Sequence, residues 1–230
     1  MSTVSTADEM LFKLGEIGIS STIVTTWGVM LLFILMTCFW HLKVIRNGYF
    51  KTAIEGIVIT MEAAVGEVLP ISLVRRVLPF VATLWLFVLI SNLIGLIPGL
   101  HSPTSDLSAT AALALLVFFS THWFGMKEHG LKQHLRHYIE PSFILLPFHI
   151  ISELTRTLAL AIRLFGNMMS LEMASLLVVA IAGFLVPVPL LMLHVIEAVV
   201  QAYIFGMLAL IYIAGALESQ SLSTTKESSV

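Results

Sequence analysis

The sequence predicts an all-α polytopic membrane protein with five transmembrane helices and one amphipathic interfacial helix, the last two helices being long and steeply tilted. Two observations predict this class. Apolar residues make up 58% of the 230 residues and charged residues only 11%, whereas soluble domains carry roughly 25% charged residues. Several apolar runs also reach the ~20 residues that a helix needs to cross a hydrocarbon layer of ~30 Å. We expect one membrane-embedded domain over residues 1–230.

Five apolar runs predict the spans. Proline-containing turns separate the second run from the third and, at Pro187 and Pro189, the fourth from the fifth. The fourth run has 43 residues, and a continuous helix of that length would measure ~64 Å, about twice the hydrocarbon thickness. A steep tilt follows for this helix and for the long helix after it. The runs cover residues 23–42, 77–97, 107–124, 141–183 and 188–217.

Residues 52–69 have a different pattern from the spans. Apolar residues such as Ile54, Ile57 and Met61 recur at helical spacing, with Glu55 and Glu62 between them. This pattern is typical of a helix that lies at the membrane surface or against a bundle.

Basic residues predict the orientation of the chain. If there are five spans, nine of the twelve lysines and arginines fall on one side and only Lys13 falls on the other. By the positive-inside rule, the N-terminal segment 1–22 is outside and the C-terminus is inside. The Ser/Thr-rich residues 218–230 are expected to form a flexible inside tail. A net charge of −2 gives no sign of nucleic-acid binding.

The fourth run carries a polar stripe centred on Arg163. An ionised side chain at mid-membrane costs ~2.5–3.5 kcal/mol on insertion scales. At 100° per residue, five polar side chains lie within about 40° of this arginine. The stripe could be a seam packed against neighbouring helices, but two arginines favour an ion path. The five are His149, Ser152, Arg156, Asn167 and Ser170.

The last run adds acidic and histidine side chains. His194, Glu197 and Gln201 share one helix face at i, i+3 and i+7, while Glu172 lies about 180° from Arg163 and nearer the outside. Glu172, His194 and Glu197 could line a water-filled outer entrance and exchange protons there. They share one depth only if the two helices are offset.

Other kinds of site find less support. The His194-x-x-Glu197 pair has no second pair to complete a metal site, so no metal is predicted. There is no phosphate loop or nucleophile–base pair, so we expect no cofactor, no intramembrane hydrolase and no catalysis by this chain. His122, near a predicted membrane interface, is interpreted as a surface group. Asn92 is interpreted as an interhelical hydrogen-bonding residue, and Ser170 is likewise assigned to helix packing.

Four segments resemble one family. The run LAIRLFGNM, with Glu172 four residues later, resembles the signature of F-type ATP synthase subunit a. Three further segments resemble the family's second span, the entry to its third span and its final helix, in the expected order. Together the matches cover about residues 79–217. The segments are 160–168, 92–98, 102–110 and 194–205.

The resemblance implies a stator of a rotary motor, whose long tilted helices follow a ring of c subunits. H⁺ or Na⁺ would flow through two offset half-channels and drive rotation coupled to ATP synthesis or hydrolysis. Arg163 would face the ring carboxylate between those half-channels. The family also implies the peripheral-stalk b subunits and membrane lipid as partners, in a bacterial inner membrane. Asn167, Glu172, His194, Glu197 and Gln201 would belong to the outer half-channel, and Glu153 and Arg156 to the inner side.

The chain departs from the family pattern at two sites near the signature. Leu171 stands where the family usually has glycine, and Thr157 where proline is common. The amino-terminal third also matches weakly, which indicates a divergent, N-ATPase-like bacterial branch. A self-contained secondary transporter or channel, with Arg163 binding an anionic substrate, is the alternative, although the chain lacks the internal repeat of the commonest transporters.

Overall fold

A computed structural model describes residues 10–14, 17–41, 49–97, 102–130, 146–182 and 188–227. Nearly all of these residues are helical, which confirms the prediction of an all-α membrane protein. The helices within the described ranges are α1 Ser21–His41, α2 Tyr49–Gly66, α3 Ile71–Ile94, α4 Leu107–His129, α5 Leu146–Ala182 and α6 Val188–Glu227.

Four of the described helices, α3 to α6, are long and apolar enough to cross a membrane, and α1 contains a shorter apolar segment, Thr22–Cys38. Helix α2, over Tyr49–Gly66, corresponds to the predicted amphipathic helix at 52–69. With 37 and 40 residues, α5 and α6 measure about 55 Å and 60 Å. Both exceed the thickness of a hydrocarbon layer, so they must tilt or extend beyond it.

Both ends of the chain differ from expectation. Two short antiparallel strands, β1 Met10–Leu14 and β2 Ile17–Ser20, pair before α1. β1 has no polar–apolar alternation that would have predicted it, and β2 alternates over only four residues. Helix α6 continues to Glu227, so residues 218–227 of the expected tail are helical. Elongating an existing helix costs less than starting one, which lets α6 extend into a Ser/Thr-rich sequence.

Local signals explain where α4 begins and ends. The Asp106 carboxylate accepts a hydrogen bond of 2.8 Å from the backbone N–H of Ser108, satisfying a free donor of the first turn. Gly130 follows the last turn with φ of 83°, a conformation that glycine adopts without strain. These caps set the length of a helix that contacts both α5 and α6.

The core lies on α6, which packs against α3 and α4, while α5 packs against α4. One buried cluster joins α2 and α3 to the second half of α6, and another joins α3, α4, α5 and α6 near the middle of the bundle. Three alanines of α6, Ala198, Ala202 and Ala209, are almost fully buried. Small side chains at these positions let neighbouring helices approach closely.

The closest approach of α3 to α6 depends on Gly206. A Cβ atom there would lie 1.6 Å from Nε1 of Trp85, whose indole N–H donates to the carbonyl of Tyr203 at 3.2 Å. Gly206→Ala should therefore destabilise the helix pair by about 1–3 kcal/mol, the usual cost of overpacking. We expect less of this chain in membranes and a lower temperature of complex dissociation.

Gly215, on the same helix with no atom within 4 Å of a Cβ, provides the matched control. Gly215→Ala should accumulate like the parent chain. Equal accumulation and equal dissociation temperatures for the two variants would contradict the proposed contact at Gly206.

Candidate functional site

The two long helices are joined by a hydrogen bond between side-chain amides. Nδ2 of Asn167 on α5 donates to Oε1 of Gln201 on α6 at 2.7 Å. Gln201 is only 2% exposed, so water does not compete freely for this bond. The bond sets which residues of α5 lie beside which residues of α6.

This register brings the outer candidates to similar depths. Towards the turn between α5 and α6, Glu172 lies about 8 Å beyond Asn167, at 1.5 Å per residue. In the same direction, Glu197 and His194 lie about 6 Å and 10 Å from Gln201. α5 and α6 are therefore offset along their axes in the way that places Glu172, Glu197 and His194 at similar depths. Glu172 and Glu197 are half-buried, and His194 is buried.

His194 is enclosed at the C-terminal end of α3. Its Cε1 atom would lie 3.6 Å from a Cβ on Gly95, and the same Cβ would lie 3.1 Å from Cβ of Ser102. Within the described part of the chain, three buried polar atoms have no hydrogen-bond partner: His194 Nε2, Gln201 Nε2 and Ser91 Oγ. Buried polar groups are normally satisfied, and ordered water does so where protein does not. The side chains of His194, Gln201 and Ser91 therefore have unused capacity to bind water, and the region around His194, Gly95 and Ser102 is called the polar pocket below.

A second set of hydrogen bonds closes this pocket. Oγ1 of Thr104 donates to Oδ1 of Asn92 at 2.6 Å, and Asn92 Nδ2 makes a long contact of 3.5 Å with the carbonyl of Ala198. The hydroxyl of Ser102 donates to the carbonyl of Ser91 at 2.8 Å. Asn92 thus links α3 to α6 and to the short 3₁₀ turn Pro103–Ser105. Sequence reasoning assigned no role to Ser91, Ser102 or Thr104, although hydroxyl residues beside a proline turn are a usable signal.

Arg163 lies on the surface of α5. It is exposed, and within the described ranges no hydrogen bond or ion pair involves it. Four other polar residues of the stripe are exposed in this chain: His149, Ser152, Arg156 and Ser170. The stripe is therefore not a seam buried inside this chain. Helix packing by Ser170 would have to be against a surface that belongs to another chain.

The residues that depart from the family pattern fit the fold. Leu171 is 7% exposed, on the side of α5 that faces the bundle. The hydroxyl of Thr157 donates to the carbonyl of Glu153 at 3.0 Å, and α5 runs through this position without interruption.

At the other end of the bundle, polar groups of α4, α5 and α6 meet. Nε2 of His122 lies 3.3 Å from Oε1 of Glu153. The guanidinium carbon of Arg156 lies 4.7 Å from the ring centroid of Tyr212, a cation–π geometry. His122 was interpreted as a surface group; the structure instead shows it partly buried against α5, because α4 and α5 pack together here.

The sequence pattern of the ATP synthase A chain family matches residues 22–214. This chain belongs to that family. ATP synthase subunit a 2 from Pelobacter propionicus is 60% identical over 92% of each chain. ATP synthase subunit a 1 from Hahella chejuensis is 54% identical over 94% of this chain and 92% of the relative. ATP synthase subunit a from Legionella pneumophila is 52% identical over 94% and 95%.

Membership of the family makes this chain a multi-pass subunit of the ATP synthase membrane sector, which works in a complex with other ATP synthase subunits. The relatives are bacterial, which supports the inner membrane as its location. Membership also favours this role over a stand-alone transporter.

Proposed function

We propose that this chain is the non-catalytic stator of the rotary motor, with two offset half-channels that load and unload a c-ring carboxylate. The observation that carries the proposal is the position of Arg163 between two groups of polar residues. Along α5, Arg163 lies about 6 Å from Asn167 in one direction and about 15 Å from Glu153 in the other. Arg163 is exposed, whereas Glu153 and Asn167 are partly buried.

The outer half-channel follows α6 from His194 towards Gln201. Glu172 and Glu197 lie at similar depth, and unfilled hydrogen-bonding capacity on His194 and Gln201 supports bound water there. Water, carboxylates and an imidazole are groups between which protons exchange rapidly. An ion entering here reaches Asn167, one turn from Arg163.

The inner half-channel begins at the opposite end of α5, where Glu153 and Arg156 lie. Most lysines and arginines outside the spans lie on the side of this end, which supports it as the cytoplasmic end, with the N-terminus outside. The two half-channels are then separated along α5 by the Arg163 region, so an ion passes from one to the other only on the c-ring.

Arg163 acts as an electrostatic barrier between the half-channels. A guanidinium remains charged in any protein environment. It attracts a deprotonated ring carboxylate as that group turns past, and it repels cations that would leak directly between the two paths. An exposed arginine in apolar surroundings is costly unless a partner covers it, which supports a ring of c subunits against this face.

The test is ion transport by the holoenzyme in liposomes, with the isolated chain as a control. The holoenzyme should carry the c-ring and membrane-bound b subunits and should pump ions when supplied with ATP; the isolated chain should pump none. Ion uptake by the isolated chain without a c-ring would overturn the stator assignment.

Repeating the measurement at fixed pH with and without Na⁺ identifies the ion: H⁺ pumping that persists without Na⁺ is expected for a proton motor.

A further inference from the structure

His122 and Glu153, hereafter the inner pair, form a proton-holding unit. His122 Nδ1 lies 2.9 Å from the carbonyl oxygen of Phe118. A carbonyl oxygen only accepts hydrogen bonds, so Nδ1 carries a hydrogen. The second nitrogen, Nε2, then faces Oε1 of Glu153 at 3.3 Å.

The geometry of the inner pair favours one further proton. A neutral imidazole with its hydrogen on Nδ1 presents a lone pair at Nε2, and a carboxylate oxygen presents another. Two lone pairs at this distance repel each other, whereas a proton on either atom converts the contact into a hydrogen bond. With that proton, the inner pair is either imidazolium with carboxylate or imidazole with carboxylic acid. The two forms differ only in which atom binds the proton, and no electron transfer is involved.

The surroundings of the inner pair connect it to the rest of the inner side. A cavity of about 10 Å³, close to the minimum for one water molecule, lies between α4, α5 and α6, and its lining includes Glu153, Arg156, Thr157 and Tyr212. Among the residues that the structure describes, the charged and titratable groups near the pair include Arg156 and the exposed His149 on α5 and Tyr212 on α6. Arg156 lies over the Tyr212 ring, so its cation is at least partly engaged away from Glu153.

The inner pair is not fully enclosed by the described residues, and it lies near the inner ends of its helices. The side chains of His122 and Glu153 are 23% and 21% exposed. His122 lies seven residues before the end of α4, and Glu153 seven residues after the start of α5, so both are about 10 Å from the inner helix ends. Arg163 lies about 15 Å deeper along α5.

We propose that His122 is a proton-exchanging residue of the inner half-channel, relaying protons between water at the inner surface and Glu153. This rests on the proposed function. In one direction, Glu153 as the acid gives its proton to Nε2, and the imidazolium gives it to water as hydronium. The reverse sequence brings a proton in. Each transfer breaks one bond to hydrogen and forms another, so protons and charge balance.

The test uses the holoenzyme in inverted membrane vesicles, with rates divided by the amount of assembled complex. His122→Gln keeps a hydrogen-bonding side chain but cannot carry a proton at physiological pH. It should lower proton conduction through the membrane sector roughly a hundredfold, by analogy with loss of a general acid–base group, and flatten its pH dependence. His122→Lys, which can still be protonated, should retain more conduction, with its pH dependence moved to higher pH.

Ser120→Ala provides the matched control, because Ser120 lies on the same helix and its hydroxyl donates only to the carbonyl of Leu116. Normal conduction and a normal pH profile in His122→Gln would overturn the proposal, as would Na⁺-dependent transport without proton pumping. If His122→Gln fails to assemble, a lysine variant whose conduction keeps the parent pH profile would equally overturn it. Arg163→Ala in the same vesicles distinguishes failure of the proposed role of His122 from failure of the proposed function. Coupled pumping retained by Arg163→Ala would overturn the proposed function itself.

Discussion

Replacing Arg163 by alanine should abolish ATP-driven ion pumping while leaving the complex assembled. The guanidinium makes no hydrogen bond or ion pair with the described residues of its own chain, so its loss leaves the polar contacts among those residues intact. Without the positive charge, the ring carboxylate loses its electrostatic partner and the barrier to direct leakage falls. We expect pumping below detection in inverted vesicles, measured by quenching of a pH-sensitive dye, with passive conduction retained or raised.

Arg75→Ala is the matched control for this experiment. Arg75 is an exposed arginine on α3, and no hydrogen bond or ion pair among the described residues involves it. Its removal should leave pumping close to that of the parent complex. Coupled pumping by Arg163→Ala would contradict the barrier role, and equal losses in both variants would indicate a general effect of charge instead.

Replacing His194 by leucine should lower proton conduction by about a hundredfold, the lower end of the range for loss of a proton-transfer group. The imidazole is buried at 5% exposure and its Nε2 has no hydrogen-bond partner in the described part of the chain. Leucine has similar bulk but holds neither water nor a proton, so it interrupts the polar pocket beside Gly95 and Ser102. The measurement is passive conduction in vesicles from which the catalytic sector has been removed.

Met192→Leu tests for a general effect of substitution at this end of α6. Met192 is 69% exposed, two residues from His194, and should tolerate the change. If His194→Leu conducts protons as fast as Met192→Leu, then the outer path does not pass through His194.

The sequence alone predicted most of the architecture, because membrane helices are long, apolar and bounded by turn residues. The predicted amphipathic helix differs from α2 by three residues at each end. The polar stripe around Arg163 also follows from the sequence, since it depends only on 3.6 residues per turn within one continuous helix. Residues on a single helix keep the relative positions that their spacing predicts.

Relations between helices could not be predicted in the same way. The offset of α5 against α6 depends on the bond between Asn167 and Gln201, 34 residues apart, and no periodicity specifies it. The contact of His122 with Glu153 likewise joins two helices across an intervening segment. Tertiary packing decides such contacts, so a histidine assigned to the surface became a partner of a candidate channel residue.

The exposed face of α5 beside Arg163 has a mechanical consequence in the proposed motor. Ala159 and Ile162 are exposed there, and their side chains contain no hydrogen-bond donor or acceptor. Dispersion contacts between such groups have little directionality, so a rotor turning past them breaks no specific bonds and meets little friction. Arg156, the other arginine of this stripe, lies over the Tyr212 ring of the same chain, so Arg163 would be the cation that holds a passing carboxylate on this surface. Each passing carboxylate would then be held and released at a single angle, which divides rotation into steps of one c subunit.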